Sequence, residues 1–239
     1  MTELTIKTPY LASFSNPKKI QEDFIYPFKL KDPGSSITHF VGFAGAIIGT
    51  PLLLIRASLN GTSLTELISF TVFMMSMILL YGASTAYHSF DISEKANRIL
   101  RKIDHMMIFL LIAGTYTPVC MLAFDGRNLL LLVYAIAIIG ILIKAFWITC
   151  PKWFSSVIYI AMGWVCVLAF PELYATLSTG AFLWLLAGGI IYTIGGIIYA
   201  LKLPVFNTIH KNFGSHEIFH LFVMAGSFCH YMCIYLYLA

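Results

Sequence analysis

Charged side chains are scarce in this sequence of 239 residues. Asp, Glu, Lys and Arg together make up 11% of it, whereas hydrophobic residues make up 59%. A soluble globular domain carries about 25% charged residues, so this composition excludes a water-soluble fold. A lipid bilayer is the solvent in which so much apolar surface is stable.

Two further patterns are missing. The chain does not begin with a basic stretch, a short apolar run and a small-residue cleavage site, so we predict no cleaved signal peptide. No two cysteines have CxxC spacing, and all five lie in or beside apolar runs: Cys120, Cys150, Cys166, Cys229 and Cys233. We therefore expect free, buried cysteines and no disulfide framework.

Seven continuous apolar runs are long enough to cross a membrane. A hydrocarbon core of about 30 Å needs about 20 helical residues at a rise of about 1.5 Å each. The runs do not alternate polar and apolar residues, which favours helices over strands. We predict an all-α membrane protein with a polar tail at 1–36 and a seven-helix transmembrane domain at 37–239, with spans near 37–56, 67–90, 103–124, 129–147, 154–171, 179–201 and 214–238.

The basic residues are divided unequally between the two sides of these spans. Only Arg56 and Arg127 lie on the side away from the N-terminal tail, and the other 13 of the 15 Lys and Arg lie on the tail's side. Basic residues near spans favour the cytoplasm, so we expect a cytoplasmic N-terminus and a C-terminus outside. The net charge of +4 then reflects topology and anionic lipid headgroups, and nothing indicates nucleic acid as a partner.

Glycines recur inside the predicted spans. Small residues at helix surfaces let two backbones approach closely in a membrane. We therefore interpret these glycines as helix-packing positions: Gly45, Gly49, Gly188, Gly189, Gly195 and Gly196.

Polar residues within the spans are few, and they cluster at span ends. Span 2 ends with Ser84 and His88, span 3 opens with Asp104, and span 7 opens with His216 and His220. An ionisable side chain in a bilayer needs a partner or a function. His216 and His220 are four residues apart, so both imidazoles project from one helical face and can bind one metal ion. Ser84 and His88 share a face of span 2 in the same way.

The predicted topology places these segments in one leaflet. Span 2 runs towards the cytoplasmic side, where spans 3 and 7 begin. Three histidines with an open fourth position are typical of a catalytic zinc site, so we predict His88, His216 and His220 as zinc ligands. We expect Asp104 to orient a water molecule or act as general base, and Ser84 to hydrogen-bond the water or a developing oxyanion. The alternative is a set of hydrogen-bonded helix-packing residues.

The other histidines and Glu217 are not expected to be metal ligands. His39 and His210 are expected near the membrane interface, and His105 is expected to be structural. His230 lies too deep in span 7 to join the cluster. Glu217 points about 100° round the helix from its neighbouring histidine, so we expect it to support or pack against the site.

These motifs together resemble a known family. The stretches Ser84-x-x-x-His88, Asp104-His105 followed by Ala113-Gly114-Thr115-Tyr116-Thr117-Pro118, and His216-Glu217-x-x-His220 resemble those of the hemolysin III family. That family belongs to the progestin and adiponectin receptor superfamily and is distantly similar to alkaline ceramidases. The resemblance, over about residues 35–239, implies seven helices in a bacterial inner membrane. It also implies zinc held by His88, His216 and His220, with the family's serine and aspartate at Ser84 and Asp104.

The resemblance implies an activity as well as a fold. Superfamily relatives with enzyme activity hydrolyse the amide bond of lipids such as ceramide. Our first hypothesis is therefore a zinc-dependent hydrolase of a lipid amide or related bond, with a membrane lipid as substrate and an apolar groove leading to the metal. The oligomeric state is not predicted.

Three other functions are weighed against this hypothesis. A non-enzymatic regulator or receptor-like protein would use zinc only to tie the spans together. A cytolysin, as the family name suggests, would need polar stripes along the full depth of several spans, but the polar residues concentrate at one end. A transporter would show a midplane site and inverted repeats, and neither is visible.

Overall fold

The computed structural model describes residues 30–201 and 213–239. Within these residues, seven helices are long and apolar enough to cross a membrane. This confirms the predicted all-α, seven-span fold. Of the predicted tail at 1–36, residues 1–29 lie outside the described residues, and span 1 begins at Pro33. The spans, numbered 1 to 7, are Pro33–Leu59, Leu64–Ser89, Glu94–Leu122, Arg127–Phe146, Lys152–Thr176, Thr179–Leu201 and Ser215–Tyr237.

Local signals in the sequence set the helix ends. Ser63 precedes span 2 and exchanges hydrogen bonds with Glu66, because its hydroxyl accepts from the Glu66 N–H while the Glu66 carboxylate accepts from the Ser63 N–H. Gly61, in the preceding turn, has a φ of 76°, which favours glycine. Between spans 3 and 4, hydrogen bonds from Arg127 hold the pKa of Asp125 below its usual range.

The spans pack as a ring in which neighbours in sequence are mostly neighbours in space. Spans 1, 2 and 3 pack in order, span 4 packs on span 3, and span 5 packs on span 6. Span 7 packs on both span 6 and span 1, which closes the ring. Spans 2 and 3 bury the largest share of their residues, whereas spans 1, 4 and 6 expose long rows of Ile, Leu and Val. Those rows suit contact with lipid tails.

Span 5 departs from the predicted single helix at 154–171. It consists of an α-helix at Lys152–Gly163, a 3₁₀ segment at Trp164–Ala169 and a short α-helix at Phe170–Thr176. The tighter 3₁₀ segment leaves main-chain groups without α-helical partners. Tyr116 of span 3 supplies hydrogen-bond partners for two of these groups. Its hydroxyl donates to the Gly163 carbonyl at 2.6 Å and accepts from the Cys166 N–H at 2.9 Å.

The structure supports only part of the interpretation of the glycines. A Cβ at Gly188 would lie 2.4 Å from the His230 ring, and one at Gly195 would lie 2.7 Å from Phe222 Cβ, so these positions do allow spans 6 and 7 to approach closely. The interpretation is wrong for Gly45 and Gly189, where a Cβ would meet nothing within 4 Å. Those two glycines lie where no neighbouring helix approaches.

Candidate metal centre

Three histidines from two spans form a cluster where span 2 ends and span 7 begins. His88, His216 and His220 each offer one ring nitrogen, and these atoms all lie within 4.8 Å of one another. The Nε2 atoms of His88 and His216 face each other at 3.3 Å. Two nitrogens that each lie about 2.0–2.1 Å from a tetrahedral ion are separated by about 3.4 Å. The cluster can therefore hold a metal ion.

Asp32 determines which nitrogen of His88 faces the cluster. Its Oδ2 lies 3.0 Å from His88 Nδ1, so the ring nitrogen donates to the carboxylate. The lone pair of His88 is then on Nε2, the atom that faces His216. A carboxylate behind a histidine in this way fixes the ring and makes it a better metal ligand.

Thr38 has the same effect on His220. The Thr38 hydroxyl lies 2.9 Å from the Gly34 carbonyl and 3.0 Å from the Ser35 carbonyl, so its hydrogen points to its own helix. The oxygen can therefore accept from His220 Nδ1, at 3.3 Å, which leaves the lone pair of His220 on Nε2. His216 Nδ1 is buried without a hydrogen-bond partner among residues 30–201 and 213–239.

Hydrogen bonds tie span 1 to the two helix ends that carry the histidines. The Ser35 hydroxyl donates to Glu217 Oε1 at 2.5 Å, and Glu217 Oε2 also accepts from the Gly214 N–H at 2.8 Å. Ser36 and Ser89 share a buried hydroxyl contact of 2.7 Å. Glu217 therefore packs span 7 against span 1, at a helix N-terminus where a negative charge is favourable.

Ser84 and Asp104 line one cavity together with His216 and His220. Ser84 lies one turn before His88 and is 1% exposed, and its Oγ has no partner within the described part of the chain. Asp104 is also buried, and its Oδ2 lies 3.3 Å from His105 Nδ1. The five predicted site residues thus converge on one region of the molecule.

The cavity extends from the histidine cluster into the apolar interior. Its volume is about 130 Å³, and its lining is mainly apolar. Branched aliphatic and aromatic side chains from spans 2, 3, 5 and 7 form the deeper walls: Leu80, Ile108, Leu111, Ile160, Phe219 and Val223. A polar end and an apolar body suit an amphipathic ligand.

Span 1 supplies residues that the sequence analysis did not assign to the cluster. His39 was expected near the membrane interface, and the structure shows that it is 3% exposed and stacks on His220 with ring centroids 3.6 Å apart. Asp32 was included in the polar tail. Pro33, which suits the first turn of a helix, was the missed signal: a helix from that residue puts Ser35 and His39 on one face.

The remaining histidines have separate surroundings. His230 lies ten residues after His220 in span 7 and lines the cavity without joining the cluster. Its Nε2 donates to the Leu185 carbonyl at 3.2 Å. His105 Nδ1 donates to the Arg101 carbonyl at 2.9 Å and lies 3.3 Å from Asp104 Oδ2, so its ring is held against its own helix beside Asp104. His210 falls outside the described residues.

The chain is similar to known proteins over most of its length. Residues 29–231 match the family described as Haemolysin-III related. The chain belongs to this family. It is 37% identical to Hemolysin-3 of Bacillus cereus over 213 residues, which cover 88% of this chain and 93% of the relative. It is also 37% identical to the Hemolysin-3 homolog of Bacillus subtilis (strain 168) over 214 residues, or 88% and 96% of the two chains.

More distant relatives of this hemolysin III family member are receptors. The chain is 28% identical to the Adiponectin receptor protein of Drosophila melanogaster over 220 residues, which cover 84% of this chain and 49% of the receptor. These matches confirm the resemblance to the hemolysin III branch of the progestin and adiponectin receptor superfamily. With seven apolar spans, the protein is a multi-pass integral membrane protein, and a bacterial cell membrane fits its Bacillus relatives.

Proposed function

We propose that this protein is a zinc-dependent hydrolase of a lipid amide or a closely related bond. The observation that carries the proposal is the histidine cluster at the polar end of an apolar cavity, with Ser84 and Asp104 in the same wall. Imidazole nitrogens suit zinc better than calcium or magnesium, which prefer oxygen ligands. When bound, zinc supplies a Lewis acid that polarises a carbonyl and lowers the pKa of water.

Asp104 is the proton carrier in this proposal. Among the described residues that line the cavity it is the one carboxylate, and it lies within electrostatic range of His88 and His39. It accepts a proton from the attacking water and delivers it to the nitrogen of the leaving amine. Its contact with His105 holds the carboxylate in place. General acid–base catalysis of this kind contributes about 10²–10⁴-fold to a rate.

Ser84 binds the carbonyl oxygen of the substrate. Its hydroxyl is buried without a partner in the described residues, and a buried donor without a partner destabilises a protein by about 1–3 kcal/mol. A ligand oxygen would satisfy it. The interaction strengthens as the oxygen gains negative charge, so Ser84 stabilises the transition state more than the substrate.

The experiment that tests this proposal measures metal content and turnover in the same preparation. We expect the purified protein, loaded with zinc in lipid nanodiscs, to cleave at least one member of a panel of ceramides, N-acyl amino acids and N-acylated phospholipids. Asp104→Asn should keep its zinc and lose about 10²–10⁴-fold in rate. Ser84→Ala should keep its zinc and lose about 10²–10³-fold.

Two further variants complete the design. His220→Ala should lose the metal, and Asp125→Asn, at an exposed site on a loop between spans 3 and 4, should match the wild type in both measurements. A zinc-loaded wild type that cleaves no lipid in the panel would overturn the hydrolase. A preparation with intact histidines that binds no zinc would overturn the metal site as well.

A structural role for the metal is the second candidate. The ties between span 1 and the ends of spans 2 and 7, through Asp32, Thr38 and Glu217, favour it. A metal that only joins these helices raises the thermal stability by mass action and supports no turnover. Chelation should then lower the melting temperature of the wild type but not that of His220→Ala, and every lipid in the panel should remain intact.

The name of the Bacillus cereus relative, Hemolysin-3, suggests a third role in membrane lysis. The lysis hypothesis predicts that the purified protein releases a dye from liposomes with a rate that depends on protein concentration. The hydrolase predicts no release in liposomes made of lipids that it does not cleave. The two functions are therefore separable by the choice of lipid.

A further inference from the structure

A buried group outside the histidine cluster joins the end of span 4 to the start of span 5. Lys144 Nζ lies 2.5 Å from Ser155 Oγ and 3.1 Å from Cys150 Sγ, and the sulfur lies 3.3 Å from the same hydroxyl. All three residues are buried, with Lys144 2% exposed and Cys150 7% exposed. The amine, thiol and hydroxyl therefore form a closed triangle beneath the protein surface.

The surroundings of Lys144 are unusual for a lysine. No carboxylate pairs with it within the described ranges, and its amine lies 5.8 Å from the ring centroid of Tyr159. A buried lysine is normally paired with an anion, since removing a charge from water is unfavourable. Packing alone does not account for a lysine that faces a cysteine at this position.

We infer that Lys144 and Cys150 form a reversible covalent cross-link when the protein meets a hydroperoxide. All five cysteines are free, as predicted, but Cys150 is the one whose sulfur lies beside a lysine amine among the described residues. A sulfenic acid condenses with a nearby nitrogen to give a sulfenamide. At 3.1 Å the amine of Lys144 is already in position for that reaction.

The reaction proceeds in two balanced steps. First, the Cys150 sulfur attacks the peroxide: an S–O bond forms, the O–O bond breaks, and the thiol proton leaves with the departing oxygen. The sulfur is oxidised by two electrons and the peroxide is reduced. Second, the amine nitrogen of Lys144 attacks the sulfur through its lone pair, so an N–S bond forms and the S–O bond breaks. One amine proton leaves with the hydroxyl group as water, and Ser155, in contact with both atoms, passes it on.

Burial favours lysine as the partner of the oxidised sulfur. The neighbours of Cys150 in sequence, Thr149 and Pro151, are exposed, so a small peroxide can reach the loop. A bulky thiol such as glutathione cannot easily reach a sulfur in a residue that is 7% exposed. The cross-link would join the end of span 4 to the loop before span 5, and two equivalents of a small thiol would restore the free amine and thiol.

Peptide mass spectrometry of the full-length protein tests this inference. We expect peroxide treatment in nanodiscs to produce a cross-linked peptide pair, Lys144 with Cys150, lighter by two hydrogen atoms than the sum of the two peptides. The pair should disappear on reduction with dithiothreitol. Cys150 should lose its reaction with a small alkylating reagent after peroxide and regain it after reduction.

Two variants separate the cross-link from ordinary cysteine oxidation. Lys144→Arg keeps a positive charge but removes the amine, so Cys150 should instead accumulate as a sulfenic acid that dimedone captures. Cys166→Ser removes a more accessible cysteine that contacts no lysine amine in the described part of the chain, and it should leave the cross-link unchanged. The inference is overturned if the wild type yields only sulfinic acid, a disulfide or unmodified Cys150. It is also overturned if Lys144→Arg and the wild type give the same products.

Discussion

At the scale of single residues, Asp32 is the side chain that most changes the interpretation of the site. It lies at the start of span 1, where an aspartate usually caps the helix, yet its side chain makes no capping bond. The carboxylate instead accepts from His88 Nδ1 at 3.0 Å. Asp32 therefore orients a candidate metal ligand, His88, instead of stabilising the N-terminus of span 1 by capping it.

This contact predicts the effect of Asp32→Asn. The amide keeps the size of the side chain but removes the charge that fixes His88, so zinc affinity should fall about 10- to 100-fold. Titration against a competing chelator measures the change. Asp91→Asn is the matched control, because Asp91 is exposed and bonds only to Asn97 in the described contacts. Equal affinities for the two variants would contradict the role of Asp32.

At the scale of helices, Glu217 positions the N-terminus of span 7 against span 1. Glu217→Gln should lower the free energy of unfolding by about 1–2 kcal/mol, because it weakens two hydrogen bonds to a charged acceptor and removes a negative charge from a helix N-terminus. Thermal unfolding in detergent measures the loss. Glu172→Gln, at an exposed position in the first turn of the last helix of span 5, removes only a helix-terminus charge and should lower the free energy of unfolding by no more than about 0.3–1 kcal/mol. A similar fall in both would mean that the contact with Ser35 is not responsible.

The seam between spans 2 and 3 gives a second prediction for helices. A Cβ at Gly114 would lie 2.6 Å from Ser76 Cβ, so Gly114→Ala must push the two helices apart. We expect a loss of about 1–3 kcal/mol in unfolding free energy. Gly45→Ala, where a Cβ meets nothing within 4 Å, should leave stability unchanged or raise it. Equal effects of the two substitutions would show that close helix approach is not what Gly114 provides.

At the scale of the whole molecule, the direction of insertion is the open prediction. The unequal distribution of the 15 basic residues predicts a cytoplasmic N-terminus, and seven spans then put Ala239 outside. In a bacterial host, alkaline phosphatase fused after Ala239 should be active, and green fluorescent protein fused there should be dark. The reverse result would move the histidine cluster to the outer leaflet.

The sequence by itself determined the class of fold and most of the candidate site. Long apolar runs predict membrane spans directly, because the backbone in lipid must satisfy its own hydrogen bonds and, outside closed β-barrels, only helices do so. The spacing of His216 and His220, and the side on which span 2 ends, were enough to predict that three histidines meet. Both inferences depend on local pattern and on the number of crossings, which are properties of the chain order.

Only the tertiary structure decided what surrounds those histidines. The contacts of Asp32 and Thr38 with the cluster join residues far apart in the chain, as does the stacking of His39 on His220. The break in span 5 and its repair by Tyr116 are also decided between helices. The periodicity of a sequence indicates which face of one helix is in contact with lipid. The contacts around the histidines depend instead on how span 1 is rotated and packed against spans 2 and 7, and no local pattern encodes that rotation.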